Sequence, residues 1–249
     1  MTIEQAIILS AGKGSRLYPH TEDRPKCLLE LSGKTLLEWQ LDALYDSGIR
    51  EMIVVTGFHH DLVEQVITAR GSERGTVTLL FNPFYQVADN LASVWMARAH
   101  FDRDTLLLNG DTLVSTDLVR TVLAGGASPI SVTIDRKDSY DADDMKVLCE
   151  GDRLLRIGKA LPADGCNAES IGLIALRGSG RAAFIEKIEE VMTTDQGVRL
   201  WYLSVIDMLA DSGVVGTTSI IGHEWQEVDY LADLDAARVL TAKWRDASA

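Results

Sequence analysis

The sequence predicts an α/β fold with a mostly parallel sheet covered on both faces by helices and interrupted by an antiparallel insertion. Three observations lead there. Short apolar runs alternate with segments of helical spacing from Ala6 to Leu108, which is the pattern of repeated strand and helix units. Past Pro129 that rhythm gives way to short strands, two of them flanking a tight turn. With 249 residues, 46% of them hydrophobic, the chain can bury one sizeable core and fits a single domain over 1–249.

The elements follow in order. Ala6-Ile7-Ile8-Leu9 is an apolar run ending in Ser10-Ala11-Gly12, as a buried strand does when it feeds a glycine loop. Residues 35–47 carry Leu37, Leu41 and Leu44 at helical spacing and close on Gly48, a residue suited to a helix C-terminus. A strand is expected at 52–55, a helix at 61–69, a strand at 77–81, a helix at 91–100 and a strand at 105–108. Residues 130–134 read as a strand, and 145–148 with 154–157 flank Glu150-Gly151-Asp152 like a hairpin. A strand at 170–176, helices at 181–192 and 200–210 and a terminal helix at 231–244 complete the reading, with no internal repeat, proline-rich linker or low-complexity tract.

Charge and composition narrow the partners. A net charge of −13 sets the whole chain against nucleic acid and anionic membranes, so an anionic substrate must be held by local donors. Lys13, Arg16, Arg24 and Lys26 concentrate such donors near the N-terminus. No apolar run approaches the roughly 20 residues of a membrane helix, and residues 1–8 lack the basic start of a signal peptide; the expected location is the cytoplasm. Cys27, Cys149 and Cys166 are odd in number and far apart, which supports neither a disulfide framework nor a metal knuckle. The adjacent His59 and His60 do not face one point from a helix start and are read as surface or packing residues.

The glycine loop reads Leu9-Ser10-Ala11-Gly12-Lys13-Gly14-Ser15-Arg16-Leu17, followed by Arg24-Pro25-Lys26. Glycines let backbone N–H groups approach phosphate, and the cations add charge-assisted hydrogen bonds. A P-loop needs Gly-Lys-Ser/Thr in succession, but Gly14 separates Lys13 from Ser15. A dinucleotide fingerprint needs a third glycine where Leu17 stands. A bare G-x-G is explained equally well by a tight turn; Arg16, Pro25 and Lys26 shift the balance, because together with the glycines they match L-x-A-G-x-G-x-R-[LM]…P-K.

That composite motif is the signature of the sugar-phosphate nucleotidyltransferase superfamily, which the chain resembles over nearly its whole length. Within it the sequence looks most like the compact branch of phosphocholine and other phosphoalcohol cytidylyltransferases. The resemblance implies a Rossmann-like sheet with an antiparallel substrate flap, here at about 136–168. It implies that Leu9, Ala11, Gly12 and Gly14 hold the nucleotide, and that Arg16 and Lys26 neutralise the triphosphate. It further implies that Asp111, in Asn109-Gly110-Asp111, and Asp229, in Trp225-Gln226-Glu227-Val228-Asp229, ligate Mg2+.

The residues themselves can be weighed against plainer roles. Asp111 follows an apolar strand, and ligands of open parallel sheets gather beyond the carboxyl ends of strands; the plainer role is a Gly-Asp turn. For Asp229 the plainer role is capping the helix that follows. Asn90 and Ser93 resemble an Asn-x-x-Ser segment near the nucleotide in this branch, whereas Asp89 or Asn90 could equally cap a helix. Lys146 and Lys159 resemble flap lysines that meet the acceptor phosphate, a task suited to flexible point charges; the alternative is two solvated hairpin lysines. Glu169 and Glu227 fall on the acceptor side of the same resemblance. One departure stands out: Leu203-Ser204 follows Trp201-Tyr202 where many relatives carry an acidic pair, which bears on any cationic head group.

The expected activity is transfer of CMP from CTP to a small phosphorylated alcohol or phosphonate with release of pyrophosphate. A sugar-1-phosphate enzyme using UTP, dTTP or GTP is the second reading, and a non-catalytic nucleotide-sensing domain is a third. The sequence leaves the oligomeric state open, a homodimer included.

Overall fold

The computed structural model describes residues 3–247 of the chain. The first half contains β1 (Gln5–Ser10), β2 (Glu30–Leu31), β3 (Lys34–Thr35), α1 (Leu36–Asp46), β4 (Glu51–Thr56), α2 (His60–Arg70), β5 (Thr76–Phe81) and α3 (Asn90–Met96). Then come β6 (Thr105–Asn109), β7 (Thr112–Val114), α4 (Thr116–Ala124), β8 (Ile130–Asp135), β9 (Lys146–Glu150), β10 (Arg153–Ile157) and β11 (Ala168–Leu176). The chain closes with α5 (Ser179–Met192), α6 (Tyr202–Ala210), β12 (Val215–Ser219), β13 (Trp225–Glu227) and α7 (Leu231–Ala247).

A nine-stranded sheet runs β5-β4-β1-β6-β11-β8-β12-β10-β9. Its first four strands are parallel. From β11 onward it is mixed, with β11 antiparallel to both β6 and β8 and with β12 parallel to β8. The expected hairpin of β9 and β10 is present and belongs to this sheet. Strand β10 joins β12 at Arg153↔Gly216, and β9 reaches back to the start of β11 through Ala168↔Val147 and Glu169↔Lys146.

The period-2 alternation of side chains explains why both faces are covered. Ile7 packs with Ile53, Val55 and Leu107 on one face, while Ala6 and Ile8 pack with Met52, Val54, Leu106 and Leu108 on the other. A third cluster, with Leu17, Leu31, Leu36, Leu113, Val228 and Leu234, ties the glycine loop to the C-terminal helix. Helix α1 begins at a capping box in which Thr35 Oγ1 accepts from Glu38 N and Glu38 Oε2 accepts from Thr35 N, satisfying backbone donors the helix cannot use itself.

Differences from the sequence reading are local. Helix α3 stops at Met96 and continues only as a 3-10 turn, Arg98–His100, short of the single helix expected over 91–100. Helix α4, strand β12 and the antiparallel pair β7–β13 were not anticipated. Among the described residues no helix is long and apolar enough to cross a membrane.

Candidate active site

The site forms where β1 and β6 end together. Leu9, Ala11, Gly12, Gly14, Asn90 and Ser93 all line one cleft, with Lys26 and Asp111 at its edge. Parallel neighbours β1 and β6 therefore deliver the glycine loop and Asn109-Gly110-Asp111 to the same end of the sheet, as open α/β sheets do with ligands. The loop is held by Thr21 Oγ1, which donates to the Gly14 carbonyl at 2.7 Å, and by the burial of Leu17 behind Arg16. Gly14 has a positive φ of 70°, and a Cβ there would lie 2.8 Å from Lys26 Cβ. Only glycine both tolerates that backbone and lets the lysine stem pass.

The opposite wall comes from the pair β7–β13. Its register, Glu227↔Thr112 and Trp225↔Val114, and the bond from Val228 N to the Asp111 carbonyl at 3.0 Å bring Glu227 and Asp229 beside Asp111. Oxygen atoms of Asp111, Glu227 and Asp229 all lie within 4.8 Å of one another. Asp111 Oδ1 is buried and finds no hydrogen-bond partner among the described residues. A close set of carboxylates with an unsatisfied buried oxygen fits a hard divalent cation, which prefers oxygen ligands.

Cations of the chain already touch these acids. Lys26 Nζ donates to Asp111 Oδ2 at 2.8 Å and to Asp229 Oδ1 at 2.6 Å, and Arg16 Nη1 donates to Asp229 Oδ2 at 3.1 Å. Burial lowers the Lys26 pKa, but the two carboxylates outweigh it and hold the ammonium above the ordinary lysine range. Burial raises the Asp229 pKa; Lys26, then Arg16 and Lys159, overcome that and keep the carboxyl below its usual range. The Glu227 residue is open to solvent along part of its surface, yet its carboxylate is crowded by protein. Desolvation, reinforced by Asp111 and Asp229, raises its pKa.

Gly110-Asp111 does form the turn between β6 and β7, but the capping role does not hold for Asp229. Asp229 is not the cap of α7: Asp233 Oδ2 accepts from the backbone N–H groups of Asp229 and Tyr230, at 3.0 and 2.7 Å, and leaves the Asp229 side chain to the cations. Asp89 and Asn90 make no side-chain cap for α3 either. Asp89 Oδ1 accepts from Trp201 Nε1 at 3.3 Å and Asn90 Oδ1 from Tyr202 N at 3.0 Å. Ser93 is buried, and its Oγ accepts from Asn82 Nδ2 at 3.0 Å.

On the flap side the expected residues separate. Lys159 Nζ sits 5.2 Å from the centre of the Trp201 ring, near enough to the acids for its charge to lower Asp229 and Glu227. Lys146 is 3% exposed, and its ammonium donates to the Asp141 carbonyl at 2.7 Å, so it fastens the loop before β9. Lys137 was not singled out in the sequence; its Nζ bridges Asp144 Oδ1 at 2.8 Å and Glu169 Oε2 at 2.9 Å. Burial pushes the Glu169 carboxyl up to about 7 against the pull of Lys137. Tyr230, beside Asp229, donates from its hydroxyl to Asp143 Oδ2 at 2.9 Å and so links this loop to the acids. Of the four N-terminal cations only Arg16 and Lys26 reach the acids, because Arg24 pairs with Asp23 and Lys13 lies over Tyr18 and Phe58. Tyr85 and Asn109 also line the cleft without any advance signal beyond their place near strand ends.

Known proteins resemble this chain in sequence and in fold. The CTP:phosphoglutamine cytidylyltransferase of Campylobacter jejuni is 24% identical over 249 residues, covering 92% of this chain and 97% of that one. The CMP-5'-(3-aminopropyl)phosphonate synthase of Streptomyces rubellomurinus is 29% identical over 238 residues, covering 90% of this chain and 37% of that longer protein. The solved inositol-1-phosphate CTP transferase of T. maritima superposes with a TM-score of 0.80 at 22% identity, over 97% of this chain and 96% of that one. Residues 6–200, from the first strand to just before α6 and short of β13 with its acids, match the MobA-like NTP transferase domain, and the chain belongs to that family of nucleotidyltransferases.

Proposed function

We propose that the protein is a Mg2+-dependent cytidylyltransferase that moves CMP from CTP to a small phosphorylated alcohol or phosphonate and releases pyrophosphate. The observation that carries this reading is the meeting of Lys26 and Arg16 with Asp111, Glu227 and Asp229 at the edge of the glycine-loop cleft. The relatives above, whose names specify CTP or CMP and three different phosphorus-bearing acceptors, favour cytidine as the base.

In the reaction an oxyanion of the acceptor attacks the α-phosphorus of CTP. The new P–O bond forms as the bond to the β-phosphate oxygen breaks, and that electron pair leaves with pyrophosphate. The attacking oxygen is already ionised, so no covalent enzyme intermediate and no general base are required; alignment and charge stabilisation do the work. Glycine-loop N–H groups hold the phosphates, and Lys26 and Arg16 stabilise the charge that develops on the transferred phosphoryl group. Asp111 and Asp229, with Glu227 adjacent, would hold Mg2+, which supplies Lewis-acid polarisation of the phosphate oxygens. Lys159, Lys137 and Glu169 face the acceptor from the flap side, while Lys146 keeps the flap loop in place.

A panel of CTP, UTP, dTTP and GTP crossed with phosphorylated alcohols, aminoalkylphosphonates and sugar 1-phosphates tests the proposal by pyrophosphate release. Turnover with CTP and a phosphorylated alcohol or phosphonate is expected. Turnover restricted to a sugar 1-phosphate with another nucleotide replaces the reading with a sugar-nucleotide enzyme, and binding of a nucleotide without turnover on any acceptor replaces it with a sensor.

A further inference from the structure

Asp111 and Asp229 each offer two carboxylate oxygens, and cations of the chain hold three of the four. Lys26 Nζ takes Asp111 Oδ2 at 2.8 Å and Asp229 Oδ1 at 2.6 Å, and Arg16 Nη1 takes Asp229 Oδ2 at 3.1 Å. Asp111 Oδ1 alone is buried without a partner. We propose that Lys26, assisted by Arg16, is the resident counter-ion of this carboxylate cluster and competes with the divalent metal for the same oxygens, so that the metal binds strongly only once a triphosphate has drawn both side chains away. This rests on the metal-assisted transfer described above and adds to it an order of binding.

Charge and geometry support the competition. Three carboxylates whose oxygens approach within 4.8 Å repel one another in a partly desolvated site, and an ammonium seated between two of them offsets that repulsion. A divalent ion bound to those oxygens at about 2.0–2.1 Å would lie almost against the ammonium, and the two cations would repel strongly. The side chains of Lys26, Asp111 and Asp229 are only 15%, 22% and 25% exposed, so water screens little of this. The lysine stem passes over Gly14, where a Cβ would lie 2.8 Å from Lys26 Cβ, and its ammonium rests on Asp111 and Asp229 at the cleft. Triphosphate oxygens are acceptors of the same kind as carboxylate oxygens and suit both Lys26 and Arg16. When those cations turn to the nucleotide, they free the acids for the metal. Metal and nucleotide then favour each other's binding, and the coupling is reciprocal.

Titration of Mn2+ into the nucleotide-free protein, with free Mn2+ read by electron paramagnetic resonance, tests this without reference to turnover. Lys26→Met is expected to bind Mn2+ roughly tenfold to a hundredfold more tightly than wild type, the equivalent of one charge-assisted hydrogen bond that no longer has to be broken. Arg16→Met should fall between them, and Lys26→Met combined with Asp111→Asn should lose the gain. Equal affinity in wild type and Lys26→Met, abolished in both by Asp111→Asn, overturns the competition while leaving the metal site standing. If Asp111→Asn changes nothing in either background, the carboxylates do not hold the metal, and the reading of the site falls together with the proposal. Should Lys26→Met not fold, Arg16→Met decides, since that side chain is 52% exposed and outside the core; affinity unchanged from wild type then overturns the proposal.

Discussion

Glu169 shows how much a single burial decision governs on the flap side. It is 7% exposed and pairs with Lys137 at 2.9 Å, yet burial dominates and pushes its carboxyl up to about 7 from an ordinary value of 4.5. Between those two values the folded state binds a proton that the unfolded state has lost. The stability contributed by this group is therefore complete below the unfolded value and disappears as pH rises through the folded one. The full effect is about 3 kcal/mol, from 1.36 kcal/mol per unit. Glu169→Gln carries no charge to bury, so its stability should match that of wild type near pH 4.5 and exceed it, by up to about 3 kcal/mol, near pH 8. Urea denaturation across that range checks it, and a difference between the two proteins that stays constant with pH would remove Glu169 as the titrating group. The resemblance pointed to Glu169, but its partner was not legible. Lys137 sits in the run Asp135-Arg136-Lys137-Asp138, where nothing local distinguishes a bridging ammonium from solvated charge. Lys146 shows the converse: a lysine inside a strand is rarely buried, and only the loop carbonyls it meets, from Asp141 and Asp144, make that burial tolerable.

At the scale of elements, the pair β7–β13 assembles the acidic wall. Leu113 and Val228 are fully buried with Leu17, Leu31, Leu36 and Leu234. This one cluster thus supports the loop that bears Arg16, strand β13 that bears Glu227, and the chain just before β7 and just after β13 that bears Asp111 and Asp229. Leu113→Ala should cost about 2–5 kcal/mol through lost burial and the cavity left behind. A denaturation midpoint unchanged from wild type would show that β7 does not anchor the site. The sequence could not announce this pair, because two strands of three residues have no measurable period and their partners lie far apart in the chain. Strand β12, Val215-Gly216-Thr217-Thr218-Ser219, is equally faint, being mostly small and polar. Helix α4 was in fact legible, since Ser115 caps it and Leu118, Val119 and Val122 form its buried stripe. By contrast β1, β4, β6 and α1 stood out because apolar runs and helical spacing are written locally. The same holds for the glycine loop, whose neighbours in sequence are also neighbours in space, whereas Asp229 joined the site only by resemblance.

The charge of the whole molecule bears on how the nucleotide arrives. Around the cleft and its acidic wall the cations Arg16, Lys26 and Lys159 stand beside Asp89, Asp111, Glu227 and Asp229. The local balance near zero leaves the long-range field to the remaining charge of a chain whose net is −13. Charge-assisted hydrogen bonds from Lys26 and Arg16 to a seated nucleotide, at about 2.7–2.9 Å, would lie well inside any ionic atmosphere, so salt would weaken them little. Approach is different: the Debye length contracts from about 30 Å at 0.01 M to about 10 Å at 0.1 M, which removes repulsion of a polyanion before it reaches the site. For a protein of this charge, kcat/KM for the nucleotide should therefore rise, roughly two- to fivefold, as ionic strength increases over that range at fixed free Mg2+. Because screening acts on encounter, kcat at saturating nucleotide should stay nearly constant. Initial rates at limiting and saturating CTP, with an inert monovalent salt, separate the two effects. A fall in kcat/KM across the same range would mean that the glycine-loop cations dominate the field from a distance, and the acidic surface would then have no part in nucleotide capture.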